Sequence, residues 1–527
     1  MGNPFLGKTL AVIHDFSVAE RRYLFSKVRE LKDAIAADDQ KKLQQYKIGD
    51  PDYGVCLAFL EDSTRTKESF LNAAKFHNVK VNIFDATHSS FNKKESYADT
   101  FHMLQGYDNR IFILRSKLEG VCRWLEDTGN AYAVRNGMQA PIFINGGDGK
   151  HEHPTQELLD EFTFLEQNGG DTSSIHVALV GDLFHGRTVH SKAGGLALFD
   201  SVEVDCIAPE ELQMPTEYIQ QMHANGFTVR TFRSIEEYLQ QKRIADKWYF
   251  TRPQLERMGE DILRRQHGLR AAITFREEFR EKLPQGTKFY HPLPRHREHP
   301  TIPVWLDDTE LNGWEEQSQN GYYVRIALLA AVAGKIGSDF PDVAASQEPE
   351  KDDFIQEVPI TQGGPKAIRQ GILPLEQGIV IDHICKDEDP ALIWSYFDTI
   401  RNVMGFSDCG YLGVVRSRSD GGHKGIISLP GHQEPSERQV KMLAAVTPGC
   451  TLNIIDDGRV TKKYRLQMPP RIYGFDEISC KNEACISHPL HAENVPAEFY
   501  RRGKSTFICK YCEKPHSFKD IWREGKF

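Results

Sequence analysis

The feature that most constrains the fold is a regular alternation along residues 10–304. Short apolar runs, each the length of one strand, are separated by amphipathic stretches with helical spacing. Strands and helices that alternate in this way build a mostly parallel sheet covered by helices. The predicted strands are residues 55–60, 79–84, 111–114, 141–144, 176–180, 202–207, 248–250 and 288–290. We therefore predict an α/β fold for this part of the chain.

The ends of this α/β part have their own signals. Ser17 and Glu20 have the spacing of a capping box, which predicts a helix that runs to about Ala36. A helical pattern at 321–336 closes the part. Proline, glycine and charged residues without apolar periodicity then predict a linker at 337–370. Later apolar runs predict strands of a smaller α+β domain at residues 378–384, 410–415, 425–429 and 451–455.

Charge and hydropathy exclude some classes of function. A net charge of -9 argues against a general nucleic-acid binder, because such binding needs an excess of lysine and arginine. We expect no nucleic-acid partner, and an anionic ligand must be held by a local basic cluster. No apolar run approaches the roughly 20 residues of a membrane span, and no signal peptide is found. We therefore expect a cytoplasmic protein with no membrane partner.

Polar motifs follow several of the predicted strands at the point where each strand ends. Ligands of open parallel sheets bind at this edge. After the first strand, residues 61–67 bring Ser63, Thr64, Arg65 and Thr66 to the start of a helix. Hydroxyls and amides at a helix N-terminus, together with an arginine, suit a phosphate dianion. A plain Ser/Thr N-cap is the alternative for this motif alone.

Other strand ends add similar chemistry. Arginines stand at 115, 187, 252 and 295, and a histidine stands at 153. Solvated loops do not readily explain so many cations at successive strand ends. The pattern therefore indicates one basic site at the edge of the sheet.

Several of these motifs resemble the carbamoyltransferases. The STRT loop at 63–66 and the HPTQ segment at 153–156 are similar to motifs of the whole superfamily. The segments GRTVHS at 186–191, Arg-x-Gln at 252–254 and HPLP at 291–294 resemble the aspartate carbamoyltransferases more narrowly. The resemblance covers about the first 335 residues. It implies transfer of the carbamoyl group of carbamoyl phosphate to L-aspartate, an early step of pyrimidine biosynthesis.

The resemblance also implies two doubly wound parallel-sheet subdomains. One is a carbamoyl phosphate domain at 1–157 with a return helix at 315–336, and the other is an aspartate domain at 158–314. The implied carbamoyl phosphate ligands are Ser63, Thr64, Arg65, Thr66, Ser89, Lys93, Arg115, His153, Gln156 and the backbone carbonyls of Pro292 and Leu293. The implied aspartate ligands are Arg187, Thr188, Arg252 and Gln254, since guanidinium forks suit carboxylates.

Within this implied site, Arg115, His153 and Thr66 polarise the carbamoyl oxygen. Together with Arg65 and Lys93 they form the implied catalytic set. A neutral His153 that donates to the oxygen is favoured over a general base, although both interpretations stay open. Another amino-group acceptor and a catalytically inactive scaffold are the remaining alternatives for the chain.

Residues 89–95 resemble the mobile loop of the family. By this resemblance, Ser89 and Lys93 reach the active site of a neighbouring subunit in a trimer or a pair of trimers. A polar surface loop is the alternative. The chain departs from the family at Lys94, where glycine is usual, and at Ser116, where histidine is common.

Four of the ten cysteines lie close together near the C-terminus. Their pattern is Cys480-x4-Cys485 and Cys509-x2-Cys512, two ligand pairs of the kind that a closed tetrahedral zinc site requires. We expect one structural Zn²⁺ per chain. A redox pair at 509 and 512 is the alternative, but it leaves the other pair unexplained. The isolated cysteines are expected to be buried apolar residues.

The C-terminal part resembles the regulatory chain of aspartate carbamoyltransferase. The segments IDHI at 381–384, CISH at 485–488 and CKYCEK at 509–514 carry the resemblance. It implies a regulatory-type domain at 371–470 and a zinc domain at 471–527. The implied ATP and CTP ligands are Asp382, Asn453, Ile455, Val460 and Lys463. A lysine expected within 425–430 is absent, which implies weak nucleotide binding or a structural role.

Overall fold

The computed structural model describes residues 2–86, 89, 95–254, 266–341, 354–360, 375–385, 389–405, 410–416, 421–503, 506–518 and 520–522. The chain divides into two compact units. One comprises residues 1–343 with 484–486, and the other comprises 344–483 with 487–527. Among the described residues, no helix is both long enough and apolar enough to cross a lipid bilayer.

The first unit begins with a four-stranded parallel sheet in the order β2-β1-β3-β4. Helices alternate with its strands. In chain order the elements are α1 (Val18–Ala36), α2 (Gln40–Tyr46), β1 (Gly54–Phe59), α3 (Thr64–Phe76), β2 (Lys80–Phe84), α4 (Tyr97–Gln105), β3 (Asn109–Ser116), α5 (Val121–Asn136), β4 (Ile142–Asp148) and α6 (Pro154–Gln167).

A second parallel sheet follows, with five strands in the order β7-β6-β5-β8-β9. Its elements are β5 (Ser174–Val180), α7 (Arg187–His190), α8 (Lys192–Gly195), β6 (Ser201–Ile207), α9 (Thr216–Ala224), β7 (Thr228–Phe232), α10 (Ile235–Tyr238), β8 (Lys247–Phe250), α11 (Gln266–Ile273) and β9 (Lys288–Tyr290). The two sheets confirm the predicted pair of parallel-sheet subdomains.

A return helix, α12 (Trp314–Val332), packs against α1, α3 and α6 of the first sheet. Every residue from Val324 to Val332 is buried, which explains why this segment is apolar on all sides. The helix begins and ends earlier than the pattern at 321–336 predicted. Arg325 is the exception in its apolar stretch, because it lines the cavity described below.

Most local predictions in the first unit are confirmed. Ser17 forms the expected capping box: its hydroxyl accepts from the Glu20 backbone N–H at 3.3 Å, and its own N–H donates to the Glu20 carboxylate at 2.7 Å. Strand β4 continues through the glycines to Asp148, beyond the predicted run at 141–144. Strand β7 was not predicted, because it is a partly exposed edge strand with polar residues between its apolar ones.

The second unit contains two antiparallel sheets, ordered β10-β15-β14-β11-β13-β12 and β16-β17-β18-β19. The first sheet carries two helices. The elements are β10 (Ile355–Glu357), β11 (Gly378–Ile384), α13 (Pro390–Met404), β12 (Tyr411–Arg416), β13 (His423–Pro430), α14 (Glu437–Val446), β14 (Thr451–Asp456), β15 (Arg459–Leu466), β16 (Arg471–Tyr473), β17 (Glu498–Arg502), β18 (Thr506–Cys509) and β19 (Pro515–Ser517).

These sheets confirm the predicted small α+β domain and zinc-binding β domain. One difference falls in the predicted linker at 337–370, where β10 pairs with β15 in antiparallel register. Such a short segment lacks apolar periodicity, and its partner is more than a hundred residues away, so the pairing left no local signal. The proposed domain boundaries themselves stay predictions.

Candidate active site

A cavity of about 430 Å³ gathers the residues predicted to bind substrate. Its walls come from both parallel sheets and from α12. The predicted residues that line it are Ser63, Thr64, Arg65, Thr66, Arg115, His153, Gln156, Arg187, Thr188, Arg252, Gln254, Pro292 and Leu293. They span more than two hundred residues of sequence, so only the fold brings them together.

The two predicted loop residues stand apart from this set. Ser89 donates its hydroxyl hydrogen to the Ala86 carbonyl at 3.0 Å, and it is not among the residues lining the cavity. Lys93 lies outside the described residues. Their shared-site role therefore stays a prediction.

The start of α3 forms the anion-binding end of the cavity. Ser63 is the N-cap residue, but its hydroxyl makes no capping hydrogen bond, so the plain N-cap alternative does not describe this helix. The first backbone N–H groups of α3 have no helical partners and attract negative charge. Arg65 lies beside them, and burial lowers its pKa. Hydroxyls, amides and a guanidinium thus meet at one point.

His153 caps the helix that follows β4. Its Nδ1 accepts from the Gln156 backbone N–H at 3.3 Å, so the proton of a neutral ring lies on Nε2. Burial, reinforced by Arg115, Arg325 and Arg187, holds the pKa of His153 well below its usual range. Its Nε2 lies 3.3 Å from the Thr66 hydroxyl at the cavity wall. This geometry supports the neutral donor interpretation.

Two arginines of the cavity share one carboxylate. Glu61 Oε2 lies 3.3 Å from Arg115 Nε and 2.8 Å from Arg187 Nη2. Arg115 also donates through Nη1 to the Gly146 carbonyl at 3.0 Å. Glu61 therefore orients guanidiniums from both sheets and offsets part of the positive charge.

Gly147 lets these groups converge. Its φ of 110° favours glycine, and a Cβ there would lie 2.9 Å from Arg115 Nη1. It would also lie 3.1 Å from Arg187 Nη1 and 3.1 Å from His153 Cδ2. A larger residue would displace all three side chains.

The opposite wall follows β8. The Gln254 backbone N–H donates to Asp182 Oδ2 at 2.9 Å, and its side-chain amide donates to the His185 carbonyl at 3.1 Å. Asp182 is fully buried and also accepts from the His185 backbone at 2.9 Å. The buried carboxylate thus ties the loop after β8 to the loop after β5, and it holds Arg252 and Gln254 at the cavity.

The sequence interpretation missed several lining residues, among them Glu61, His291, Gln317 and Arg325. Arg325 had a usable signal, because an arginine inside an apolar helix needs a polar surrounding. Burial lowers its pKa to about 10, against the opposing effect of Asp160. Glu61 and Gln317 gave no local signal, since their contacts depend on distant elements.

The four C-terminal cysteines form a metal site. Their sulfurs all lie within 4.8 Å of one another, and Cys480 Sγ is 3.6 Å from Cys512 Sγ. Four sulfurs at the usual Zn–S length of about 2.3 Å form a tetrahedron with edges of about 3.8 Å, so the arrangement fits zinc. Cys485 and Cys509 complete the set, and all four are buried. Convergence of both pairs sets aside the redox-pair alternative.

The isolated cysteines mostly behave as expected. Cys56, Cys122, Cys206 and Cys450 are buried, and burial raises the pKa of the Cys56 thiol to about 12. Cys385 is only partly buried, and Cys409 lies outside the described residues.

The five residues implied for nucleotides share one face of the six-stranded sheet. The register pairs Asp382 with Thr451, Asn453 with Lys463 and Ile455 with Val460. Directly opposed residues, and residues two apart on one strand, lie on the same face. Lys424 forms an ion pair with the carboxylate of Asp382, with 2.8 Å between Lys424 Nζ and Asp382 Oδ1. Ser428 is a buried residue within 425–430, where the lysine was expected.

Comparison with family models identifies four domains in the chain. Family models match aspartate/ornithine carbamoyltransferase, carbamoyl-P binding domain, over residues 8–166 and its Asp/Orn binding domain over 173–332. The aspartate carbamoyltransferase regulatory chain matches with its allosteric domain over 370–467 and its metal binding domain over 470–522.

Individual relatives agree with these models. Protein PyrBI from Treponema denticola is 56% identical, with both chains covered in full. Protein PyrBI from Thermotoga maritima is 54% identical over 99% of this chain and 100% of its own. The crystal structure of aspartate transcarbamoylase from Trypanosoma cruzi in complex with carbamoyl phosphate matches with a TM-score of 0.54 at 27% identity. It covers 63% of this chain and 97% of the other.

Two parallel sheets that share an arginine-lined cavity at their strand ends define the class of the carbamoyltransferases. Within that class, the chain belongs to the aspartate carbamoyltransferase family, with a catalytic domain fused to a regulatory chain in one polypeptide. Its metal-binding domain carries one structural zinc on the four cysteines.

Proposed function

We propose that the cavity transfers the carbamoyl group of carbamoyl phosphate to the amine of L-aspartate, with the residue roles predicted from sequence. The observation that carries this assignment is one cavity that combines a helix N-terminus, a neutral donor imidazole and several arginines. The start of α3 and Arg65 bind the phosphate, and Gln156 with the backbone carbonyls of Pro292 and Leu293 holds the carbamoyl amide. Arg187, Thr188, Arg252 and Gln254 bind the two carboxylates of aspartate.

The chemistry is acyl transfer with phosphate as the leaving group. The aspartate amine attacks the carbamoyl carbon, and Arg115, Thr66 and His153 Nε2 stabilise the oxyanion that forms. No protein nucleophile is needed. The C–O bond to phosphate then breaks, and the departing phosphate accepts the amine proton. Arg65 stabilises the dianion that leaves.

An assay of the purified chain with carbamoyl phosphate and a panel of amino acids tests the assignment. We expect carbamoyl transfer to L-aspartate in clear preference to ornithine and other amines. A different preferred acceptor would overturn the substrate assignment. A folded chain without turnover would instead indicate an inactive scaffold.

We propose further that the chain forms catalytic trimers, singly or in pairs, with active sites shared through the loop at 89–95. The support is the family resemblance of that loop. We also propose a cytoplasmic location and a place early in pyrimidine biosynthesis. The place in the pathway follows from the proposed reaction, and the location is the expectation drawn from the sequence.

Nucleotide regulation is proposed to be weak. Asp382 is already paired with Lys424, and residues 425–430 contain no lysine, although a phosphate-binding lysine was expected there. ATP and CTP should therefore change the aspartate saturation curve only slightly. A large response to either nucleotide would mean that another cation replaces the missing lysine.

A further inference from the structure

A buried carboxylate lies directly behind the carbamoyl end of the cavity. Asp160 is fully buried on α6, one turn after Gln156. Its Oδ1 accepts from Gln156 Nε2 at 2.9 Å and from Gln317 Nε2 at 2.6 Å. Its Oδ2 accepts from Lys192 Nζ at 2.8 Å. Three donors therefore converge on one side chain.

These contacts orient the Gln156 side chain. A carboxylate that receives three donors has no hydrogen to give, so it fixes the amide NH₂ of Gln156 toward itself. The Oε1 atom of Gln156 is then left for the cavity. An oxygen in this position accepts a hydrogen bond from an N–H group but gains nothing from a methyl group.

The same carboxylate orients a second part of the site. The Gln317 amide donates to Asp160, and its Oε1 accepts from the His291 backbone N–H at 2.9 Å. A backbone N–H only donates, so this contact fixes the orientation of Gln317 independently. The turn that follows carries Pro292 and Leu293, which also line the cavity.

Lys192 forms a buried ion pair with this carboxylate. Its ammonium is fully buried, lies 2.8 Å from both Asp160 and Glu157, and sits 4.0 Å from the centre of the Tyr249 ring. Lys192 begins α8, immediately after the short helix that starts with Arg187 and Thr188. The buried pair therefore links the carbamoyl end of the cavity to the aspartate end.

We propose that Asp160 is a positioning residue. It makes the carbamoyl phosphate site select a carbamoyl group, which carries an NH₂, over acyl groups that have no N–H. Asp160 does so by orienting hydrogen-bond acceptors, the Gln156 side-chain oxygen and the backbone carbonyls of residues 292 and 293, toward the NH₂ group of carbamoyl phosphate. The inference rests on the proposed function, in which Gln156 and the 292–293 carbonyls hold that amide. The chemical class excluded is represented by acetyl phosphate, in which a methyl group replaces the NH₂.

The test compares carbamoyl phosphate with acetyl phosphate in Asp160→Asn. An asparagine can donate to Gln156 and reverse its amide, which would present an NH₂ to the substrate NH₂. We expect the KM for carbamoyl phosphate to rise about tenfold or more, while the competitive inhibition constant of acetyl phosphate changes little. Asp160→Glu keeps an acceptor-only group and should recover part of the discrimination.

Glu166 on the same helix provides a matched control. Its carboxylate accepts from Lys32 at 2.8 Å and from the Asn320 amide at 2.8 Å, but it does not line the cavity. Glu166→Gln should leave the ratio of the two constants unchanged. If Asp160→Asn weakens both ligands equally, or neither, Asp160 has no role in selection and the inference is wrong.

A second variant keeps the test open if Asp160→Asn does not fold. Gln317→Met removes the link between Asp160 and residue 291, and it should also lower the discrimination. Gln156→Ala separates the inference from the proposed function. If Gln156→Ala keeps wild-type discrimination, the proposed role of Gln156 is wrong. If it loses discrimination while Asp160→Asn and Gln317→Met keep it, only the positioning inference fails.

Discussion

At the scale of single residues, the arginines of the cavity differ in their surroundings. Arg65 stands at the start of a helix, whereas Arg252 follows a strand of the second sheet on the opposite wall. Charge at a helix N-terminus acts on the same anion as the helix amides. Arg252, on the opposite wall, is proposed to bind a carboxylate of aspartate and not the phosphate.

We predict that Arg65→Ala and Arg252→Ala fail in different ways. Arg65→Ala should lower kcat by about two orders of magnitude or more, because it removes stabilisation of the departing phosphate. Arg252→Ala should chiefly raise the aspartate KM. Steady-state kinetics with each substrate varied in turn will separate the two effects. Normal aspartate saturation in Arg252→Ala would show that the carboxylate assignment is wrong.

A buried histidine outside the site predicts a pH dependence of stability. His77 is fully buried, its Nε2 lies 3.0 Å from the Ile326 carbonyl, and burial lowers its pKa to about 4. Between the unfolded value of 6.5 and this value, only the unfolded chain binds the proton. The free energy of unfolding should therefore fall with falling pH, by about 1.4 kcal/mol per pH unit from this residue.

His77→Gln should remove that contribution. The difference in Tm between about pH 7 and about pH 5 should be smaller in this variant than in the wild type. His299 is exposed and gives a control, His299→Gln, with an unchanged difference. Equal differences in all three proteins would contradict the assignment to His77.

At the scale of elements, the end of β4 decides whether the cavity can form. The strand runs through Asn145, Gly146 and Gly147 before the turn that leads to His153. Gly147 is in contact distance of side chains from β3, α7 and the start of α6. The conformation at this one strand end therefore couples three parts of the site.

We predict that Gly147→Ala lowers kcat by at least about a hundredfold, because its Cβ would displace Arg115, Arg187 and His153. Gly169 is a control for backbone strain alone, since its φ is 65° and an added Cβ would meet nothing within 4 Å. Gly169→Ala should cost about 1 kcal/mol of stability and leave kcat unchanged. Similar kcat values for both variants would refute the steric explanation.

The sheet formed by β16 to β19 is expected to depend on zinc for its stability. Its strands are short, and Cys509, at the end of β18, is the zinc ligand that lies in a strand of this sheet. Cys512→Ser should lose the metal and make residues 471–522 sensitive to proteolysis, because metal binding supplies much of the folding free energy of so small a unit. Elemental analysis and limited proteolysis will check this. Full zinc content in the variant would contradict it.

At the scale of the whole molecule, the proposed trimer completes each active site with a loop from a neighbouring chain. We predict that, at aspartate concentrations far below the raised KM of Arg252→Ala, chains with Lys93→Ala and chains with Arg252→Ala each show little activity but complement each other in mixed trimers. About three-quarters of randomly mixed trimers contain both chains, and each has one intact site of three, so about a quarter of wild-type activity should return. Both parents must be folded. No recovery in mixed trimers verified by mass would show that Lys93 does not act across subunits.

Local patterns were enough for much of this protein. Apolar periodicity predicted the parallel sheets, because strand and helix repeats are properties of adjacent residues. Strand-end motifs placed Arg65, His153 and Arg252 in one site, since parallel strands end at a common edge. The spacing of the cysteines predicted the zinc site for a similar reason, because the two ligands of each pair are close in sequence.

Tertiary structure alone decided which distant groups meet. The pairing of Glu61 with Arg187, the convergence of Lys192 and Gln317 on Asp160, and the position of Arg325 all join elements far apart in sequence. The pairing of β10 with β15 inside the predicted linker has the same origin. Such contacts depend on how whole helices and strands pack, and the periodicity of each segment shows which face is buried but not what that face meets.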